Sequence, residues 1–101
     1  MIETQLETLP LVVTVWHQPD CGHCEEFLPR LNEIAARYSS CVPTALLDAT
    51  QNEDLSDALS IEATPTVIVL RLGRTIKRFD RGLNATEREQ LYASGGAACS
   101  R

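Results

Sequence analysis

Apolar positions follow two rhythms along this chain, a nearly continuous run and a helical stripe, and the switch between them sets the element order. Residues Leu11-Val12-Val13-Thr14-Val15-Trp16 are almost all apolar and rich in β-branched side chains, which predicts a central strand buried on both faces. A loop follows from His17 to Asp20 and contains Pro19. From Gly22 the period changes. Phe27, Leu28, Leu31, Ile34, Ala35 and Tyr38 fall on one stripe at helical spacing, while Glu25, Glu26, Arg30, Glu33 and Arg37 lie largely off it. Pro29 sits inside this amphipathic helix, removes one backbone donor and is expected to kink it. Residues 42–48 read as a second strand, and Asn52 is placed to cap a short helix carrying Leu55, Ala58 and Leu59. Residues 66–70 form a third strand and 75–81 a fourth, joined by a hairpin turn at Leu72-Gly73-Arg74. Lys77, Arg78, Asp80 and Arg81 load the fourth strand with charge, the mark of a sheet edge protected from further pairing. A last helix opens near Asn84-Ala85-Thr86-Glu87, with Thr86 and Glu89 spaced as a capping box, and ends near Ser94.

The predicted class is therefore α/β, in the order βαβαββα, with a mixed four-stranded sheet flanked by helices. Helical segments between strands favour a parallel first pair, and the short hairpin makes the last pair antiparallel. Residues 1–94 are expected to form one domain and 95–101, with Gly95-Gly96-Ala97-Ala98, a flexible tail. At 101 residues such a chain buries roughly 60 to 70% of its extended surface. It needs no metal or set of cross-links to hold a core, which leaves its cysteines for chemistry.

Charge narrows the partners. Fourteen acidic and nine basic residues give a net charge of −5, which repels phosphate backbones and anionic lipid, so neither nucleic acid nor a membrane is an expected partner. No apolar run approaches a membrane span. The start Met1-Ile2-Glu3-Thr4 lacks the positive and apolar regions of a secretory leader, so the location expected from the sequence is cytoplasmic.

The cysteines stand at 21, 24, 41 and 99. Cys21-Gly22-His23-Cys24 lies between a strand-like and a helix-like segment, the pattern of a dithiol redox site. Cys41, at the entrance of the second strand, reads as a small buried hydrophobe. Cys99, in the tail, reads as an exposed thiol able to link two copies of an otherwise monomeric chain.

The run from Trp16 to Cys24, WHQPDCGHC, resembles the active-site segment of the thioredoxin family, and its CGHC core resembles that of protein disulfide isomerase domains. Three further matches follow in order: Pro29 eight residues after Cys21, Ala63-Thr64-Pro65-Thr66 as the cis-proline loop facing the dithiol, and Gly82 as the glycine closing the substrate groove. The resemblance covers nearly the whole chain and implies the thioredoxin fold. Before the dithiol the chain is about ten residues shorter than full-length members of the family, so residues 1–8 have room for a short helix or strand but not a further βα unit.

The resemblance implies a thiol-disulfide oxidoreductase acting on protein disulfides, with a role in electron transport and cell redox homeostasis. It would be recharged by a reductase or other electron donor and use no cofactor beyond the Cys21–Cys24 couple. Cys21, at the tip of a helix, is the expected nucleophile, because backbone donors and the dipole favour its thiolate. Cys24 is the expected resolving thiol. Gly22 is expected to relieve crowding at the helix entry, and His23, when protonated, to favour the reduced form. A cis bond before Pro65 would leave the Thr64 backbone free to pair with an extended substrate. Gly82 and Trp16 are expected to border that groove.

Three departures stand out. Asp20 occupies the position before Cys21 where the family usually has Trp, and Glu25 and Glu26 follow Cys24. An exposed unit charge at about 4 Å contributes only ~1 kcal/mol in water, so none of them overrides the helix terminus. The expected potential lies between about −270 mV and about −180 mV. Val15 stands where a buried acid usually serves the resolving cysteine, and His17 is the candidate replacement base. Two rival functions remain. One is a binding or assembly protein that keeps this shape with weakened redox chemistry. The other is a metal module built from His17, Cys21, His23 and Cys24.

Overall fold

The computed structural model describes residues 3–95. Its elements are α1 (Glu3–Thr8), β1 (Val12–His17), α2 (Gly22–Arg37), β2 (Thr44–Asp48), α3 (Glu53–Ala58), β3 (Thr66–Arg71), β4 (Arg74–Phe79) and α4 (Ala85–Gly95). The predicted order is present, with one short helix added in front. The expected tail falls mostly outside the described residues.

The sheet runs β2-β1-β3-β4. β1 is parallel to β2 and antiparallel to β3, and β3 is antiparallel to β4. As expected of a strand covered on both faces, Val12 to Trp16 in β1 are all buried. Its alternation feeds two cores. Val13 and Val15 join Phe27, Leu31, Ile34, Val67, Val69, Leu83 and Tyr92 beneath α2 and α4, while Val12 and Trp16 join Leu6, Ala45, Leu47, Ile68 and Leu70 on the side of α1 and α3. Thr14 is polar in the middle of this strand without cost, since its hydroxyl donates to the Ile68 carbonyl at 2.8 Å and accepts from the Trp16 indole N–H at 3.1 Å.

Several boundaries differ from the sequence reading for local reasons. β2 begins at Thr44, after Pro43, which lacks a donor, and after Val42, whose N–H donates to the Tyr38 carbonyl at 2.8 Å. Asn52 stands at the start of α3 but does not cap it with its side chain, which donates instead to the Asp48 carbonyl at 2.9 Å. The hairpin is tighter than expected. Leu72 and Gly73 have φ of 49° and 81°, the two positive values that a primed two-residue turn requires, so Arg74 already belongs to β4, while Asp80 and Arg81 lie beyond it. The capping box of α4 uses Asn84 and Glu87 rather than Thr86 and Glu89. Asn84 Oδ1 accepts from the Glu87 N–H at 2.8 Å and Glu87 Oε1 accepts from the Asn84 N–H at 3.0 Å, because the reciprocal pair must include the residue that enters the helix. Glu89 is left to pair with Arg37 of α2 at 3.3 Å.

Candidate active site

β1 delivers the chain to the sheet's end, and the loop to α2 turns there through Asp20. Asp20 has φ of 58°, a left-handed conformation that aspartate tolerates better than most residues. Its place before Cys21 thus has a conformational reason that its charge alone did not suggest. Cys21 is the N-cap of α2, and its Sγ accepts from the Cys24 N–H at 3.1 Å. Cys21 and Cys24 form a disulfide with Cα atoms 5.2 Å apart. Both are buried, Cys21 at 8% exposure and Cys24 at 3%. Cys21 is the slightly more exposed of the two, and its sulfur contacts the Thr64 loop.

Forty-three residues later the chain returns to this sulfur. Thr64 Oγ1 donates to Cys21 Sγ at 3.4 Å, and the Thr64 carbonyl oxygen lies 3.5 Å from it. A disulfide sulfur carries no hydrogen, so only the hydroxyl contact is a hydrogen bond in this state; the carbonyl is within reach of a reduced thiol. The Thr64–Pro65 bond is cis. Pro65 is buried, and Gly82 packs behind it: a Cβ at Gly82 would come 3.2 Å from Phe27 Cδ1 and 3.3 Å from Pro65 Cγ. Thr64, Pro65 and Gly82 line a groove of about 410 Å³ together with His23 and Phe27. A larger cavity of about 600 Å³ lies between the β3–β4 hairpin and α4, and neither it nor the groove has a described cysteine in its lining.

Other candidate residues are placed differently from expectation. Trp16 is fully buried with the α1 and α3 core, so it presents no surface to a substrate. Its position in β1 turns it to the face opposite Val15, which a single sequence reading could assign only after choosing a face. Gly22 is exposed and a Cβ there would meet nothing within 4 Å, so crowding does not require glycine. His23 is exposed at the groove. His17, half-buried, lies opposite Asp48 in the parallel ladder, and no hydrogen bond links it to Cys24. The hydroxyl and then the N–H of Thr50, at 2.6 Å and 2.8 Å, hold the Asp48 carboxyl below the usual range, with His17 adding a smaller attraction. Val15 is buried among apolar side chains, so no acid lies under the dithiol at that position.

Cys41 is half-buried at the edge of the α2 and α4 core, and no cysteine among the described residues is a free thiol, so it is not the inert buried packing group expected. Cys99 lies outside the described residues. The disulfide occupies both sulfurs of the imagined metal set, and the described residues contain no group of three or more His, Cys, Asp or Glu side chains disposed to hold an ion. No helix among them is long and apolar enough to cross a membrane.

Residues 3–93 match the family model described as Thioredoxin. The chain belongs to the thioredoxin family. Among its relatives, a protein disulfide-isomerase of Ricinus communis is 34% identical over 71 residues, which is 68% of this chain and 14% of that protein. Thioredoxin-T of Drosophila melanogaster is 29% identical over 69 residues, 68% of this chain and 44% of that one. The thioredoxin of Fasciola hepatica superposes with a TM-score of 0.77 at 25% identity, covering 90% of this chain and 86% of that one. A Malassezia sympodialis thioredoxin reaches 0.83 at 17% identity over 92% of this chain and 83% of its own, a likeness of fold alone. This thioredoxin-family chain thus spans a small part of the isomerase and most of the small solved thioredoxin.

Proposed function

We propose that this chain is a thiol-disulfide oxidoreductase that reduces or exchanges disulfides of other proteins. The observation that carries the reading is the sulfur of Cys21 at the tip of a 16-residue helix, accepting the Cys24 N–H while bonded to Cys24 three residues on. In the reduced protein the same N–H, the Thr64 hydroxyl and the positive end of α2 favour the thiolate of Cys21 over its thiol. That thiolate attacks one sulfur of a substrate disulfide; the other substrate sulfur leaves as a thiolate and takes a proton. Cys24 then loses its proton and attacks Cys21 Sγ, the mixed disulfide breaks, and the second substrate thiol is released. Two electrons pass from the dithiol to the substrate, and the pair ends as the disulfide.

Thr64 and Pro65 are read as the docking edge. A substrate strand laid along the Thr64 backbone would bring its sulfur to Cys21, and Gly82 keeps the groove open behind it. His23 tunes the couple toward oxidising behaviour when protonated. With Val15 in place of an acid and no hydrogen bond between His17 and Cys24, the proton of Cys24 is read as leaving to solvent. The chemistry needs no group beyond the dithiol, and recharging falls to an external reductase or other electron donor. A cytoplasmic location goes with the reductant direction, whereas an oxidising potential would favour an isomerase-like role outside it.

The test is dithiothreitol-driven reduction of insulin. The wild-type chain accelerates it, Cys21→Ser abolishes the acceleration, and Cys24→Ser accumulates a mixed disulfide. A Cys21→Ser protein with full activity would refute the mechanism. Undiminished partner binding by a double Cys→Ser protein that lacks all reductase activity would favour the assembly role instead.

A further inference from the structure

The groove that begins at His23 and Thr64 carries more basic than acidic side chains, against the sign of the chain as a whole. Three of the nine basic residues line it, Arg30, Arg81 and Arg88, against two of the fourteen acidic ones, Glu26 and Asp80. Internal pairing removes some of these from play. Arg81 meets Glu87 through two hydrogen bonds of 2.7 Å and 2.9 Å, and Asp80 meets Arg78 at 2.6 Å. Arg88 spends one Nη1 hydrogen bond on the Leu83 carbonyl, at 2.9 Å, which anchors its guanidinium without neutralising it. Arg30 has no ion pair or hydrogen bond among the described residues. The uncompensated charges facing the groove are therefore Arg30 from α2 and Arg88 from α4 against the single carboxylate of Glu26, with His23 nearby. A chain of net charge −5 thus holds a local surplus of positive charge in a groove that reaches the dithiol through His23 and Thr64.

Resting on the oxidoreductase reading above, we propose that Arg30 and Arg88 select substrates whose reacting cysteine is flanked by acidic residues. The reach agrees. Arg30 lies nine residues along α2 from Cys21, about 13 Å at 1.5 Å rise per residue, and its side chain leans back toward the helix N-terminus. An extended substrate advancing roughly 3.3 Å per residue meets it within about four residues of its cysteine. A guanidinium offers a carboxylate two parallel donors, which an ammonium on the substrate cannot use.

Local and global electrostatics predict opposite signs of selectivity. The field of an acidic protein attracts a basic peptide and repels an acidic one, whereas the groove favours the acidic one. At 0.15 M salt the screening length is about 8 Å, so contacts in the groove outweigh the distant charges.

The experiment compares two disulfide-linked peptide dimers, each a Gly-Ser chain with one central cysteine, carrying Glu or Lys at alternate positions within four residues on both sides. The readout is the ratio of kcat/KM for Glu over Lys with the reduced protein, a ratio in which a general loss of activity cancels. One surface charge contact in water corresponds to a ratio of about five. The ratio is expected to exceed one in the wild type, to fall toward one in 1 M salt, to drop in Arg30→Gln and to invert in Arg30→Glu/Arg88→Glu. If the double variant does not fold, the single variant and the salt series decide. A wild-type ratio of one or less, or a ratio untouched by these changes, overturns the selectivity while leaving the oxidoreductase reading standing. Failure to reduce either peptide or insulin overturns both.

Discussion

Replacing Thr64 by valine isolates one contact at the reactive sulfur. Valine keeps the β-branched shape, and the site is only half-buried, so no polar group is stranded. What is lost is the hydroxyl that donates to Cys21 Sγ at 3.4 Å. Hydrogen bonds to charged groups contribute about 1.5 to 3 kcal/mol; a long contact to sulfur in a partly wet site belongs at the lower end, about 1.4 kcal/mol, which is about one pKa unit. The loss falls on the thiolate, so the pKa of Cys21 rises. The reduced form is destabilised relative to the disulfide, so the couple becomes more reducing by about 30 mV at pH values above both pKa values. The Cys24 N–H at 3.1 Å and the helix end remain, so the thiol stays more acidic than a free cysteine. The pH dependence of iodoacetamide alkylation of the reduced protein measures the first quantity, and equilibration with glutathione the second. An alkylation pKa that stays put or falls in Thr64→Val would show that the hydroxyl does not hold the thiolate, and the account of the site would lose its long-range component.

Three further outcomes are expected. Gly22→Ala, at a helical position with open space around its Cβ, raises stability by about 0.4 to 1 kcal/mol through a less flexible unfolded chain, read as a higher urea midpoint at unchanged slope; destabilisation would contradict the open geometry. Tyr92→Phe removes the hydroxyl that shares a 2.6 Å hydrogen bond with Thr44 Oγ1 and costs about 0.5 to 1.5 kcal/mol, and a double-mutant cycle with Thr44→Val should return most of that as coupling. Glu87 is held to a pKa of about 2 by Arg81 first and by the Asn84 N–H second. Because the folded value is depressed, its contribution to stability is present above the unfolded value near 4.5 and is lost as pH falls from there toward 2; Glu87→Gln should flatten that part of the stability profile, and an unchanged slope in acid urea titrations would argue against the pair.

Much of this protein was legible in one dimension because its signals are local. The β-branched run from Leu11 to Trp16 can be satisfied only in a covered strand, the stripe from Phe27 to Tyr38 only on a helix, and a dithiol at Cys21 and Cys24 is defined by a spacing of three. Charge on Lys77 and Arg78 marked an edge for the same reason, since pairing another strand there would bury it. Tertiary structure decided whatever depends on which face or which distant segment meets a residue. Trp16 and Val15 are neighbours in sequence, yet the pleat sends one to the α1 and α3 core and the other beneath α2. Asn84 took the capping box from Thr86 because helix entry is set by how the chain leaves Gly82 and Leu83. The Thr64 hydroxyl reaches Cys21, and Arg30 and Arg88 converge on one groove, only because the sheet order β2-β1-β3-β4 brings the strand before α2 alongside the strand after the proline. Periodicity and spacing are properties of a chain; adjacency across a sheet is a property of its fold.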